Sequence, residues 1–431
     1  MKKFFLISMI FFIFGSSAAK INPDELYLAL KSFYEQKDKD LRDYLIDEMT
    51  KYLITFPEDI HAPEISFLLA KLYNDDGNEE EAFLYNMAVI LVSSANGFKE
   101  LARNEARMLI NNESKFRDKQ MWILEQLAEN TTDTLIVDGF FTYLNFLQKL
   151  DMKDLNDEVI ERYKIFQKLY NDDSRNDQVQ LWLANAYAQK GEKKWADQSY
   201  EMFLHLYPES QIIPDVLYAR ANHLFQEMNN HEQAIAVFGD LIEKYPGYSL
   251  AGEALYKTGM IYKDKLKDYQ TAIKSFEKLA VTYPDYYNLG NAWFITAELY
   301  KDKIKDYPQA ISAYENVVTR DKNLALKALE EIADIYKKRV NDLNKTVETY
   351  ERIVTMFPDY DKAIDRLFDA AEICEDEMHD NKKAIYYYEL IIVNYPDHKK
   401  SQEAKRRIKD IEPLLAPQPE ATETTTEKAT E

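Results

Sequence analysis

The chain is poor in cysteine, glycine and histidine, and each shortage excludes a class of function. Its 431 residues include one cysteine, so no intramolecular disulfide can form. Only ten glycines are present, and neither GxxxxGK[ST] nor GxGxxG occurs, which argues against a nucleotide-binding loop. No two of the six histidines lie four residues apart, and HExxH and GxSxG are absent. The sequence therefore predicts no metal site, no cofactor and no catalytic residue.

Positive charge is also in short supply. The chain has 54 lysines and arginines against 75 aspartates and glutamates, which gives a net charge of −21 at pH 7. Such an acidic surface repels phosphate backbones, so nucleic acid is not expected as a partner. A basic partner segment steered by charge is one interpretation of this excess. Solvated helix faces explain most of the acidic residues equally well.

Long apolar runs are absent except at the N-terminus. Lys2 and Lys3 precede a nearly unbroken apolar stretch at 4–14, and small residues follow at 15–19. This order is typical of a secretory signal peptide, with cleavage expected after Ala19. The stretch is too short to span a bilayer comfortably, although an uncleaved anchor is the alternative. We therefore expect export, with no transmembrane segment in the mature chain. A signal peptide without disulfides favours a bacterial envelope.

The dominant pattern in the rest of the chain is a repeated helix stop. An aromatic residue followed by proline recurs at Pro208, Pro246, Pro284, Pro358 and Pro396. The successive prolines lie 38, 38, 74 and 38 residues apart, and 74 is close to two such periods. Proline disfavours helical geometry in the residue before it, so each aromatic-proline pair is expected to end a helix. A fixed period of this length indicates one structural unit copied along the chain.

Small and aromatic residues keep helical spacing within each unit. In the first half of each unit, a small residue lies three positions before a tyrosine, as Gly259 does before Tyr262. A neighbouring helix can approach closely at the small residue. In the second half a small and an aromatic residue lie four apart, as Ala272 and Phe276 do. Each unit should be a helix-turn-helix hairpin that must stack on its neighbours. Cys374 stands where other units have this tyrosine, so we expect a buried, unreactive thiol.

These features resemble tetratricopeptide repeats, in which a small residue, tyrosine, Ala-x3-aromatic and proline follow in this order. Most units here run to 37 or 38 residues, whereas the usual repeat has 34. One additional residue falls in the turn, because Tyr262 to Ala272 spans ten positions where Tyr187 to Ala196 spans nine. The longer version is similar to repeats of bacterial envelope proteins, such as the outer-membrane assembly lipoproteins and the Tol-Pal coordinators. The resemblance implies an all-α, right-handed solenoid of about ten hairpins with a C-terminal capping helix.

The spacing of the repeats and the composition of the N- and C-terminal residues divide the chain into five segments. We predict a signal peptide at 1–19, degenerate helical repeats at 20–171, a regular repeat array at 172–397, a capping helix at 398–415 and a disordered tail rich in proline, threonine and glutamate at 416–431. Within the second segment, residues 97–171 depart most from the repeat. The oligomeric state is not predicted by any of these features.

The resemblance also implies a binding site, because in this family the first helix of each hairpin lines a concave groove. The matching positions are Tyr218, Tyr256, Phe294, Glu330 and Phe368, and one turn later Asn222, Met260, Glu298, Asp334 and Glu372. Aromatic anchors beside polar groups suit a partner peptide or helix. The alternative is that the aromatic residues pack between neighbouring repeats as core.

Together these patterns predict a non-catalytic protein-protein interaction scaffold, exported to the periplasm or associated with the outer membrane of a bacterium. Its partners would be one or more envelope proteins. Two alternatives stay open at this stage. One is a module that binds envelope glycan or peptidoglycan, since aromatic columns also stack on sugars. The other is an accessory subunit of an envelope enzyme or assembly machine, or an enzyme whose site lies in the degenerate region 97–171.

Overall fold

The computed structural model describes residues 22–92, 97–112, 114–128, 135–150 and 155–415. The predicted signal peptide at 1–19 and the predicted tail at 416–431 lie outside these residues. Of the residues described, 82% are helical and none forms a β-strand. The protein is therefore all-α, as its sequence predicted.

The chain divides into two compact units, Met1–Asn230 and His231–Glu431. In the first unit the helices are α1 (Pro23–Glu35), α2 (Arg42–Thr55), α3 (Ala62–Asp75), α4 (Glu79–Val92), α5 (Lys99–Asn112), α6 (Gln120–Ala128), α7 (Ile136–Leu150), α8 (Asn156–Leu169), α9 (Asn176–Lys190), α10 (Lys193–Leu206) and α11 (Ile213–Gln226). In the second they are α12 (His231–Lys244), α13 (Ala251–Ile261), α14 (Tyr269–Thr282), α15 (Leu289–Leu299), α16 (Tyr307–Arg320), α17 (Lys322–Ile335), α18 (Leu343–Met356), α19 (Ala363–Glu372), α20 (Asn381–Asn394) and α21 (Lys399–Ile411). Within each unit successive helices pack in stacked hairpins. The twenty-one α-helices of the described residues are the number expected for ten hairpins and a terminal helix.

The additional turn residue of the longer repeat is accommodated by π-helix. A single π-helical turn follows α13, α15, α17 and α19, at Tyr262–Leu266, Tyr300–Ile304, Tyr336–Val340 and Ile373–Glu377. The backbone N–H of Asp268 then donates to the carbonyl of Tyr262 at 2.9 Å, across six residues. In the shorter turn after α9, the N–H of Glu192 reaches the carbonyl of Tyr187 across five residues, with Gly191 left-handed at φ 85°. The nine- and ten-residue spacings thus correspond to two different helix ends.

Small residues determine how closely the two helices of a hairpin approach each other. A Cβ placed on Gly259 of α13 would lie only 2.7 Å from the ring of Phe276 on α14. The equivalent residues of the next two first helices, Ala297 and Ala333, are fully or almost fully buried. The predicted column of small residues is therefore the contact line between paired helices.

Residues 97–171 break the regular stacking order of the repeats. Helix α4 packs against α5 and also against α7, which follows it only after a long interval of sequence. The hydroxyl of Tyr143 on α7 donates to the carbonyl of Leu84 on α4 at 3.1 Å. Phe116 and Phe166 are fully buried, so the described part of this stretch is well packed even though its repeat pattern is degenerate.

Helix α21 covers the end of the second unit. It packs against α19 and α20 through Ser401, Ala404 and Ile411, which are buried. Its lysine and arginine side chains at 405, 406 and 409 are exposed. Because one face is apolar and the other charged, α21 closes the stack in the way expected of a capping helix.

Candidate functional site

All ten predicted site residues lie on first helices, meaning the N-terminal helix of each hairpin. Tyr218 and Asn222 lie on α11 in the first unit, and both are half-buried. The Asn222 side-chain amide donates to the carbonyl of Tyr218 at 2.8 Å, a bond within one helix. The remaining eight residues lie on α13, α15, α17 and α19 of the second unit.

The two phenylalanines of the set belong to the core. Phe294 is 4% exposed and Phe368 is 5% exposed. Each ring meets the edge of a tyrosine on the second helix of its own hairpin, Tyr314 at 5.3 Å and Tyr388 at 5.6 Å between centroids. Edge-to-face pairs at these separations add about 0.5–1.5 kcal/mol to the burial of the rings. The structure therefore places these two rings where the core-packing interpretation put them.

A lysine of the next repeat covers each of these rings. The Nζ atom of Lys327 lies 4.4 Å from the centre of the Phe294 ring, and Nζ of Lys400 lies 4.6 Å from that of Phe368. A cation over an aromatic face is attracted by the ring quadrupole, by about 0.5–1 kcal/mol at exposed sites. The two phenylalanines thus connect neighbouring first helices as well as paired ones.

Tyr256 follows the same arrangement with a hydrogen bond in place of the cation. Its ring packs 5.7 Å from Phe276 of its own hairpin. Its hydroxyl accepts a hydrogen bond of 2.8 Å from the side-chain amide of Asn291, on the next first helix. Burial raises the pKa of Tyr256 above its ordinary value, the largest of several effects on it. The hydroxyl is therefore neutral and serves as a fixed polar link.

Two glutamates of the set, Glu330 and Glu372, are linked across repeats in a similar way. Arg366 forms a bidentate ion pair with Glu330, in which Nε lies 2.9 Å from Oε1 and Nη2 lies 2.9 Å from Oε2. Nη2 of Arg407 lies 3.5 Å from Oε1 of Glu372. Partial burial raises the pKa of Glu372, and Arg407 opposes that effect. Half-exposed pairs of this kind fix the orientation of a side chain more than they stabilise the fold.

The other members of the set remain closer to solvent. Asp334 forms an ion pair with Lys338 on its own helical turn. Glu298 and Met260 are half-buried at the same register as Asp334. Glu298, Asp334 and Glu372 therefore place a carboxylate at one position in three consecutive first helices.

The side chains that cover the predicted residues were not among the positions that the sequence predicted. They are Asn291, Lys327, Arg366, Lys400 and Arg407. Each lies about one repeat after the residue that it contacts. The period itself was the signal that could have identified them, because a polar side chain one repeat later reaches the same surface.

The described residues contain no cluster suited to metal chemistry. No group of three or more histidine, cysteine, aspartate or glutamate side chains is placed there to hold an ion. Cys374 is fully buried, and burial raises its pKa to about 11. Across the same part of the chain, every helix is too short or too polar for a membrane-spanning segment.

A comparison with protein families identifies the repeats. The tetratricopeptide repeat profile matches residues 178–210, 215–248 and 253–286. The chain contains tetratricopeptide repeats. Proteins built from these repeats are generally scaffolds for protein-protein interaction and not catalysts. The match covers three hairpins of the array that the sequence predicted at 172–397.

Solved structures similar to this chain include three from named bacteria. The C-terminal part of a TPR repeat-containing protein from Cytophaga hutchinsonii is 17% identical, covers 61% of this chain and 98% of its own, and has a TM-score of 0.37. A tetratricopeptide repeat protein from Parabacteroides merdae is 16% identical, with 63% and 99% covered and a TM-score of 0.33. PilF from Pseudomonas aeruginosa is 16% identical, with 63% and 96% covered and a TM-score of 0.32. None of the curated proteins matches the chain significantly in sequence.

Proposed function

We propose that this protein is a non-catalytic scaffold exported to a bacterial envelope, where it binds a basic peptide or helix of an envelope protein. The observation that carries the proposal is the carboxylate at one register position of three consecutive first helices, Glu298, Asp334 and Glu372. Lys338 already pairs with Asp334 and Arg407 with Glu372, so a lysine- or arginine-rich segment would bind by sharing or replacing these partners. The net charge of −21 attracts the same segment from a distance.

The buried rings weigh against a glycan-binding module. A sugar stacks on an aromatic face that is open to solvent, whereas Phe294 and Phe368 are 4% and 5% exposed and lie beneath lysines. The peptide-binding proposal needs only the half-exposed carboxylates. It is therefore the function that this surface supports better.

Charge reversal on the first helices tests the scaffold. We expect Glu298→Lys with Asp334→Lys to abolish the capture of partner chains after cross-linking in native envelopes, because a basic segment would then be repelled. The matched control is Glu243→Lys with Glu389→Lys, which changes exposed residues on the second helices α12 and α20 by the same charge. Identification of the captured chains by mass spectrometry is the readout, with circular dichroism confirming that both variants fold. Equal capture by the two variants would contradict the proposed surface.

Export is tested at the N-terminus of the protein isolated from its native host. We expect a mature chain beginning at Lys20, because cleavage after Ala19 follows the small residues at 15–19. Intact-mass measurement together with fractionation of cytoplasm, periplasm and outer membrane gives the answer. Recovery of the full-length chain in the cytoplasm would rule out the envelope location.

A further inference from the structure

The first unit contains a cleft that lies away from the predicted first-helix positions. It is bounded by α2, the start of α3, α4, α7 and α8, and its volume is about 470 Å³. Clefts that bind small ligands or single anchoring groups have volumes of about 300–1,000 Å³. A cleft of this size could hold about two large side chains. The residues of its walls and mouth indicate which kind of ligand fits.

The walls are apolar because α2 and α8 each carry apolar side chains beyond those that the core buries. Helix α2 buries Leu45, Met49 and Tyr52 on one face. Leu53 and Ile54 of the same helix are only half-buried and line the cleft. From α8, Ile165 lines the opposite wall in the same way. Among the described residues of this unit, no side chain fills the space between these apolar groups.

The floor and one wall are held in place by close contacts between α4 and α7. A Cβ on Gly139 would lie 2.5 Å from the carbonyl oxygen of Val92, so only glycine permits α7 to cross the end of α4 there. One turn later, the Tyr143 hydroxyl donates to the carbonyl of Leu84 at 3.1 Å. The cleft therefore has a rigid boundary formed by two anchored helices.

Arg162 lines the cleft and forms an ion pair with Glu81 behind it, so the two charges cancel. Nη2 of Arg162 lies 2.9 Å from Oε2 of Glu81, and these side chains are only 13% and 9% exposed. The guanidinium also lies 5.1 Å from the centre of the Tyr85 ring. Because Glu81 already neutralises Arg162, the interior does not require an anionic ligand.

The mouth of the cleft is acidic. Glu58 and Glu161 line it and are exposed, and Asp59 lies beside Glu58. Glu161 has a counter-ion in Lys164 at 2.8 Å, and Asp59 accepts a hydrogen bond of 2.6 Å from Tyr52. A net negative mouth over apolar walls attracts a group that is apolar at its tip and cationic beside it. A fatty acid has the opposite arrangement, since its carboxylate would meet these carboxylates.

We propose that this cleft is a second binding site, which takes aliphatic or aromatic side chains of a partner peptide with a lysine or arginine next to them. The proposal rests on the proposed function, because it assumes that the protein binds proteins. It concerns a different unit and a different surface from the first-helix carboxylates. Apolar burial supplies the affinity and the acidic mouth selects the basic peptide.

The test compares two probe peptides of ten residues with the same leucine- and phenylalanine-rich core, one bearing three lysines and the other three glutamates. Binding to the full chain is measured by isothermal titration calorimetry. We expect the lysine peptide to bind at least tenfold more tightly than the glutamate peptide. Ala88→Trp, which fills the cleft from α4, should weaken the lysine peptide at least tenfold.

A second variant keeps the test valid if the tryptophan disturbs folding. Glu58→Lys changes an exposed mouth residue and should reduce the preference for the lysine peptide several-fold. Glu25→Lys, an exposed change on α1, is the control and should have no effect. Equal binding of both peptides, or unchanged binding to Glu58→Lys, would overturn the proposal. So would binding of oleate in place of either peptide, since that identifies a lipid site.

The two proposals fail in distinguishable ways. The first-helix carboxylates are a second site that could take the lysine peptide, so its titration is repeated with the charge-reversal variant Glu298→Lys with Asp334→Lys. Binding that belongs to the cleft should remain in that variant. Loss of partner capture with retained peptide binding supports the first-helix surface and the cleft as separate sites. Partner capture without peptide binding supports the scaffold and overturns the cleft.

Discussion

At the scale of single residues, side-chain volume decides how closely paired helices approach. Gly259 faces Phe276 with no space for a methyl group, and alanine occupies the equivalent position in the next hairpins. Cys374 occupies a position that tyrosine fills in other repeats, and its smaller side chain is fully buried. Burial raises the pKa of the Cys374 thiol and keeps it protonated. These positions specify how closely the helices pack.

Gly259→Ala should destabilise the protein by about 1–2 kcal/mol, because the new methyl group forces the Phe276 ring to move. The higher helix propensity of alanine offsets up to about 1 kcal/mol of a larger steric cost. Equilibrium urea unfolding followed by circular dichroism measures the change. Gly247→Ala is the control, since nothing lies within 4 Å of a Cβ there. A variant as stable as the original would show that the ring moves at no cost.

At the scale of the element, each π-helical turn gives way to an aspartate that starts the next helix. Asp268, Asp306, Asp342 and Asp380 all accept a hydrogen bond from the backbone N–H three residues later. This bond satisfies one of the N–H groups that a helix start leaves without a partner. The longer repeat is thus built from a defined helix end and a defined helix start.

Asp306→Ala should cost about 1 kcal/mol, because it removes the cap that accepts from the N–H of Gln309 at 3.1 Å. Amide hydrogen exchange resolved to α16 is the measurement, and faster exchange in its first turn is the expected result. Asp302→Ala removes the same charge four residues earlier without removing a cap. Similar exchange in both variants would mean that the cap contributes nothing.

At the scale of the whole molecule, the helices of the second unit pack mainly against their neighbours in sequence. Stability in such an array is close to a sum of hairpin terms and nearest-neighbour terms. Damage to one hairpin is therefore expected to remain local.

Tyr388→Ala should remove roughly 3–5 kcal/mol, because it deletes a fully buried ring packed against Phe368. Hydrogen exchange should accelerate in α19, α20 and α21 and change little in α13 and α14. Val393→Ala, at a residue of the same helix that is 74% exposed, serves as the control. Uniform acceleration through the second unit would indicate one cooperative block instead.

The hairpins, their turn lengths and their small-residue contacts could be predicted from the sequence, because helical spacing is a local property of the backbone. The period was sufficient to place the ten candidate positions on first helices. It could not show that Phe294 and Phe368 are covered by lysines, since that depends on how neighbouring helices cross.

The sequence by itself determined the repeat and therefore the all-α architecture, because each hairpin repeats one local pattern of small, aromatic and helix-ending residues. Only the tertiary structure decided how the helices of residues 97–171 pack against the rest of the first unit. There the ion pair of Arg162 with Glu81 joins side chains 81 residues apart, and Tyr143 reaches Leu84 across 59. Contacts over such distances depend on helix crossings that no periodic pattern encodes, and they create the cleft of the first unit.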